Sequence, residues 1–251
     1  MPQRGSVADQ AFGCGWPELD EIFKFYKGQF VVTTGIAGHG KSTFLLNVLL
    51  RLAREHSVAS FLYVPENEAY LYDKLRKIWA NDETFEHFAR SLCFVQSAVP
   101  QGYDDPPKTL DWVLDQAVAA VKQDRAEIVM IDPWNELDRA KPKDMLLTEY
   151  IGQCLMLIKQ FCRSLDAIVI VVAHPTKAIN EHGGKIVSLA DIEQSMNWFN
   201  KCDNGLIVVR ETTTNTAKVI SAKVKATSMP CCYFRSRSRN CVPKYVHAAF
   251  V

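Results

Sequence analysis

Apolar positions along this chain fall into short β-branched runs separated by stretches with helical spacing, and that alternation predicts most of its elements. Runs at 30–34, 58–64, 92–95, 127–132 and 167–173 read as strands. The last two are apolar almost throughout, as strands buried on both faces are. Helical spacing follows the first run from Thr43 to Leu50 and the second from Ala69 to Trp79. Pro106-Pro107 breaks the chain, after which Thr109 is placed to cap a helix running to about Lys122. A long helix is predicted over 147–165. The stretch 176–190 is polar, carries Gly183-Gly184 and has no period, so a mobile loop is expected. Residues 191–200 suit a short helix or a hairpin, and 206–209, 218–224 and 231–234 read as closely spaced late strands. Strands alternating with helices predict a twisted, mainly parallel α/β sheet flanked by helices, with an antiparallel extension at the C-terminal end. Residues 1–12 are expected as a flexible arm. Residues 13–251 are expected as one domain, whose segment 21–26 covers a sheet edge.

Composition narrows the class only a little. The 251 residues suffice for one large core. A net charge of +1 advertises no bulk attraction to nucleic acid, although a few cations in a channel would not register in it. The eight cysteines are scattered without a C-x-x-C pair, and no signal peptide is visible, so buried thiols in a reducing cytoplasm are expected. Cys231, Cys232 and Cys241, with His247 nearby, lack the ligand spacing of a zinc site. No apolar run is long enough to span a bilayer.

The chemistry centres on Gly35-Ile36-Ala37-Gly38-His39-Gly40-Lys41-Ser42, which reads G-x-x-x-x-G-K-S between a predicted strand and a predicted helix. Glycines let several backbone N–H groups turn toward one anion, and the helix start adds its positive dipole end. Gly35, Gly38, His39, Gly40, Lys41, Ser42 and Thr43 are therefore the expected nucleotide-binding residues. Lys41 would reach the β- and γ-phosphates, and Ser42 would offer a hydroxyl to Mg²⁺. A nucleoside triphosphate with Mg²⁺ is the implied ligand.

Three further residues stand at predicted strand ends, the edge where open α/β sheets bind ligands. Asp132 suits the Mg²⁺ site together with Ser42. Glu66 suits a base that polarises the attacking water, with Glu68 and Glu136 as rivals. His174 suits a γ-phosphate contact, or simply a hydrogen-bonded histidine closing a strand. In the final third, Lys177, Lys185 and Lys201 lie on or beside the glycine loop near Trp198-Phe199, which suits a single-stranded nucleic-acid backbone. Lys223 and Lys225 alternate on a predicted strand and would project from one face. Arg235, Arg237 and Arg239 alternate likewise and read as a solvated face.

Several of these stretches occur in one order that resembles DnaB-like hexameric replicative helicases, in the branch of phage primase-helicases and Twinkle. They are Gly15-Trp16-Pro17 with Leu19-Asp20, the phosphate loop, Pro65-Glu66-Asn67 and Ile131-Asp132-Pro133-Trp134-Asn135-Glu136. Glu149-Tyr150-Ile151, Ala173-His174-Pro175-Thr176-Lys177 and Asn200-Lys201-Cys202-Asp203-Asn204-Gly205 complete the set, which runs from about Gly13 to Lys225. The resemblance implies a RecA-like ATPase core in a homo-oligomeric, hexameric ring around single-stranded DNA, with ATP between subunits and a primase domain or protein as partner. It implies Glu66 as catalytic glutamate, Asp132 as magnesium ligand, His174 as phosphate sensor and 177–201 as the DNA-binding region. Several features depart from the family, among them a run of glycines replaced by Ala226-Thr227-Ser228-Met229-Pro230. Glu193-Gln194-Ser195-Met196-Asn197 replaces a run of small residues and histidine, and Lys223-Val224-Lys225 replaces a lysine-x-arginine pair. Lys225 would then stand where the family supplies an arginine to the neighbouring subunit's ATP. The expected function is an ATP-dependent DNA helicase motor belonging to a longer protein. A regulatory ATPase of the same superfamily, oligomerising without unwinding, is the alternative.

Overall fold

The computed structural model describes residues 10–79, 85–89, 92–96, 106–176, 188–193, 196–211, 216–224 and 245–249. The strands among them are β1 (Phe30–Thr34), β2 (Ala59–Val64), β3 (Leu92–Gln96), β4 (Ala126–Ile131), β5 (Ile168–Ala173), β6 (Asn204–Glu211), β7 (Thr216–Lys223) and β8 (Tyr245–Ala249). They form one sheet in the order β3-β2-β4-β5-β1-β6-β7-β8. Every pairing among the first six is parallel, whereas β6–β7 and β7–β8 are antiparallel. This is the RecA-like arrangement expected, with its antiparallel extension.

Strict alternation within the strands divides the core into two layers. Val31 of β1, Leu62 of β2, Met130 of β4 and Ile170 of β5 pack on one face. Against them lie α2 (Lys41–His56), α3 (Glu68–Ile78) and α4 (Phe85–Ala89), with the short α1 (Pro17–Asp20). Val32, Phe61, Val129 and Val171 point the other way, toward α5 (Leu110–Gln123), α6 (Leu147–Leu165) and α7 (Asn197–Lys201). Burial on both faces explains why these strands read as continuous apolar runs.

Local signals set the helix starts. The Thr109 hydroxyl accepts from Trp112 N at 3.3 Å, and Asn67 caps α3 by accepting from Tyr70 N at 2.8 Å. Each satisfies one orphan N–H of a first turn. Before the sheet, Pro17 opens α1, and the Asp20 carboxylate accepts from Cys14 N and Gly15 N at 2.8 and 3.0 Å. That knot fastens the entering chain beside α2, where Arg51 lies 5.0 Å over the Trp16 ring. Ile22, Phe23, Phe25 and Tyr26 are all buried, so 21–26 is part of the core and more than an edge cover.

Four expectations change. The arm expected over 1–12 ends sooner, because Phe12 pairs with Phe25 through two 2.9 Å backbone hydrogen bonds and so belongs to the domain. Of the stretch 191–200, the short-helix alternative holds only from Asn197, where α7 begins. A 3-10 turn over Leu189–Asp191 precedes α7, and Trp198 is buried edge-on against Trp134 at 5.2 Å. Strand β8 was not expected, while 231–234, most of the loop 176–190 and residues 235–241 lie outside the described residues. Finally, Lys223 is committed within its own subunit. Its Nζ donates to the Phe199 carbonyl and, at 2.8 Å, to Cys202 O, neutralising the C-terminal end of α7. A lysine held there does not project with Lys225 toward a neighbour. Lys159 secures the same turn from α6, donating to Lys201 O at 2.8 Å and pairing with Asp203 at 3.1 Å.

Candidate functional site: a phosphate loop and the ends of three strands

The order β2-β4-β5-β1 sets four parallel strands side by side, each about 4.8 Å from the next. Their carboxyl ends deliver Glu66, Asp132, His174 and the phosphate loop in turn. Residues separated by more than a hundred positions thus line one cavity of about 320 Å³.

The loop owes its shape to two close backbone conditions. A Cβ on Gly35 would stand 2.3 Å from the Val208 carbonyl of β6, so only glycine lets the chain leave β1 there. Gly38 and Gly40 have φ of 76° and 86°, left-handed values that favour glycine. Gly38 also faces open space, with nothing within 4 Å of where a Cβ would sit. Lys41 begins α2 and is only 6 % exposed. Its ammonium donates to Gly35 O at 2.8 Å and to Ile36 O at 3.1 Å. Burial pushes its pKa down, against the opposing pull of the Asp132 carboxylate.

Asp132 is 6 % exposed and directly follows β4, its N–H donating to Tyr63 O of β2 at 3.0 Å. Burial raises its carboxyl pKa above the usual range, and the Glu66 charge adds to the rise. The neighbouring Ser42 hydroxyl, with the Lys41 and Lys74 charges, partly offsets it. A buried carboxylate and a serine hydroxyl, set together against a phosphate loop, are the donor set of a magnesium site in phosphate-loop proteins. The residues present fit that ion.

Glu66 sits between the end of β2 and the Asn67 cap, and it lines the cavity. Its rivals Glu68 and Glu136 are exposed and do not. His174 lines the cavity on the β5 side. Burial and the Lys41 charge lower its pKa and favour the neutral ring, although Glu193 opposes them. Gly38, Gly40, Lys41, Ser42 and Thr43 line the cavity too. His39 turns away from it: Arg210 N on β6 donates to its Nδ1 at 3.2 Å. Lys201 is half-buried on α7, and Lys177, Lys185 and Lys225 lie outside the described residues. The cavity also contains a cation that the sequence pattern did not single out. Lys74 of α3 lines it and pairs with Glu66. In Asp73-Lys74-Leu75-Arg76-Lys77, three cations fall within four positions, and no local pattern separates the one facing inward.

Fold and site together define a phosphate-loop nucleotide-binding protein of the RecA-like class. The chain belongs to the AAA-domain family, whose model matches residues 6–180. It is 32% identical over 222 residues to the chloroplastic/mitochondrial Twinkle homolog protein of Arabidopsis thaliana. That match takes in 80% of this chain and 30% of the relative, so the chain spans under a third of the relative's length. Among solved structures, the ATPase domain of G40P superposes with a TM-score of 0.69 at 17% identity, covering 99% of this chain and 90% of that one. A DnaB-like replicative helicase, solved in a study of its interactions with primase, gives 0.70 at 18%, covering 98% and 61%. The resemblance to DnaB-like motor domains read from the ordered motifs is borne out.

Proposed function

We propose that this chain is the motor domain of an ATP-dependent DNA helicase, hydrolysing ATP at the subunit interfaces of a homo-oligomeric ring and translocating on single-stranded DNA. The carrying observation is the convergence of Lys41, Ser42, Asp132, Glu66 and His174 on one cavity at the carboxyl edge of adjacent parallel strands. Similarity to a Twinkle homolog over most of the chain supports the motor reading. A primase domain or protein is the partner this reading implies, by analogy with the DnaB-like relative.

ATP is the proposed substrate. Loop amides and Lys41 hold its β- and γ-phosphates, and Glu66 orients a water and draws its proton as the water oxygen bonds to the γ-phosphorus. The bond to the β–γ bridging oxygen breaks, and its electron pair leaves with ADP. Ser42 and Asp132 would hold Mg²⁺, which when bound neutralises charge on the phosphate oxygens. The neutral His174 ring, beside Lys41, is a hydrogen-bonding group suited to sensing loss of the γ-phosphate. Lys177, Lys185 and Lys201 are proposed DNA contacts, and Lys225 the cation donated to the neighbour's site. Among the described residues no helix is long and apolar enough to cross a membrane. Cys14, Cys154, Cys162 and Cys202 are free and buried, which supports a reducing compartment such as the cytoplasm.

The test is ATP turnover with and without single-stranded DNA. A motor is stimulated. Turnover indifferent to DNA would make the chain a regulatory ATPase, and absent turnover a nucleotide-binding structural subunit.

A further inference from the structure

We infer that Lys74 is a catalytic residue of the nucleotide site, a cation supplied by the same subunit that binds the γ-phosphate and, in doing so, releases Glu66 to the attacking water. The inference rests on the ATPase reading above and adds to it a second phosphate-binding lysine.

The placement is set by the fold. Asn67 caps α3 just after Glu66, so α3 leaves the strand edge in a fixed direction. Residues 67, 71 and 74 are spaced to share one helix face. Leu71 on that face is buried in the core, at 1% exposure, so the face of α3 that carries Lys74 is turned inward. Lys74 Nζ lies 3.9 Å from Glu66 Oε1, with the two side chains 24% and 28% exposed. Its charge also reaches Asp132 and counts among the influences on that carboxylate. The neighbouring Lys77, by contrast, is exposed.

Charge explains what such a lysine does. Lys41 opens the helix after the phosphate loop and Lys74 faces Glu66; both line the cavity and both charges reach Asp132. ATP with one Mg²⁺ keeps a net charge of about −2, and Lys41 alone leaves part of it unbalanced. The Glu66 carboxylate would add repulsion at the γ end, just where charge develops on the transferred phosphoryl group. A flexible ammonium already facing Glu66 removes that conflict by moving to the anion that carries more charge. At 3.9 Å the pair is loose, and such a partly exposed pair is held weakly enough to exchange. In the absence of ATP the lysine holds Glu66. With ATP present it turns to phosphate and leaves the carboxylate free to accept a proton.

The test compares triphosphate with diphosphate affinity, using fluorescent ATP and ADP analogues on the intact chain, alongside steady-state turnover. Lys74→Ala should weaken the triphosphate about tenfold or more while barely changing the diphosphate, the scale of one charge-assisted hydrogen bond. It should also lower kcat, and Lys74→Arg should restore most of both. Lys77→Ala serves as the surface-charge control and should change neither. An unchanged triphosphate-to-diphosphate ratio in Lys74→Ala overturns the inference whatever happens to turnover. The comparison does not depend on DNA stimulation or on hydrolysis by the wild type. A wild-type chain that binds both nucleotides but never hydrolyses ATP would refute the ATPase reading, with the ratio still reporting on Lys74. Binding of neither nucleotide by the wild type would refute both.

Discussion

Lys41 Nζ lies 2.8 Å from the carbonyl of Gly35, the first glycine of its own loop. The ammonium is thus held by the loop it serves, with the Gly35 and Ile36 carbonyls accepting from it and the Asp132 charge acting on it. Lys41→Ala removes the loop's only cation and should abolish ATP binding. Titration with a fluorescent ATP analogue, with circular dichroism to show an intact fold, checks this. Wild-type affinity in the variant would place the phosphates elsewhere.

Glu66→Gln keeps the size and polarity of the side chain but removes the base. ATP affinity should stay near wild type while hydrolysis slows by ~10²-fold or more, the usual scale for a positioned base. Single-turnover kinetics measure it directly. A wild-type rate would redirect attention to Glu68 or Glu136, despite their exposure.

For Lys177, Lys185 and Lys201, replacing all three with alanine should flatten the salt dependence of single-strand binding. Each lost phosphate contact lowers the slope of log affinity against log salt by ~0.7, through counterion release. Fluorescence anisotropy over a salt series gives the slope. No change would mean that these lysines face solvent.

Lys225 carries the assembly prediction. Lysine in place of arginine keeps the charge but loses the planar fork that grips phosphate at two points. Lys225→Arg should therefore raise turnover. Mixing Lys41→Ala protein with Lys225→Ala protein should restore partial activity, since some intact ATP sites then face an intact Lys225. Two variants that stay inactive in demonstrably mixed oligomers would show that Lys225 does not act across the interface. With Lys223 tied to the end of α7, the prediction rests on Lys225 alone.

Burial lowers the pKa of His174 in the folded protein. The unfolded chain then takes up the proton first as pH falls. The associated stability is complete above the ordinary histidine value of 6.5 and declines as pH drops toward the lower folded value. His174→Gln should remove part of that decline, seen as a smaller fall in melting temperature from pH 7.5 to 5.5 than in wild type. His39, lowered in the same sense by burial and by Lys41 and Arg210, should keep the remainder. Parallel melting curves for wild type and variant would argue against His174 being held neutral by the fold.

Much of this was legible from residues near one another in sequence. The phosphate loop is eight contiguous residues whose types are dictated by backbone conformation and charge, so it was readable whole. Thr109 and Asn67 sit at helix starts, where a side-chain oxygen replaces missing backbone partners within three positions. The β-branched runs of β1, β4 and β5 announce burial on both faces, because each position there must satisfy one apolar layer or the other. Asp132 and His174 were legible as the residues at which such runs stop.

Tertiary structure decided which of these local pieces meet. No spacing in the chain says that β2 lies beside β4 or that β1 lies between β5 and β6, because strand order emerges from many weak pairings between distant segments. Glu66 lines the phosphate-loop cavity and Glu136 does not, although β4 lies nearer β1 than β2 does, because Glu136 sits in an exposed 3-10 turn beyond Pro133. Tertiary packing also turns His39 toward Arg210 and commits Lys223 to the end of α7. Lys74 shows the limit most plainly. It is one of three closely spaced cations on an amphipathic helix, and only the packing of Leu71 against the sheet turns it inward. A side chain's type is a property of the sequence, but the charge it faces depends on the packing of elements that are far apart in the chain.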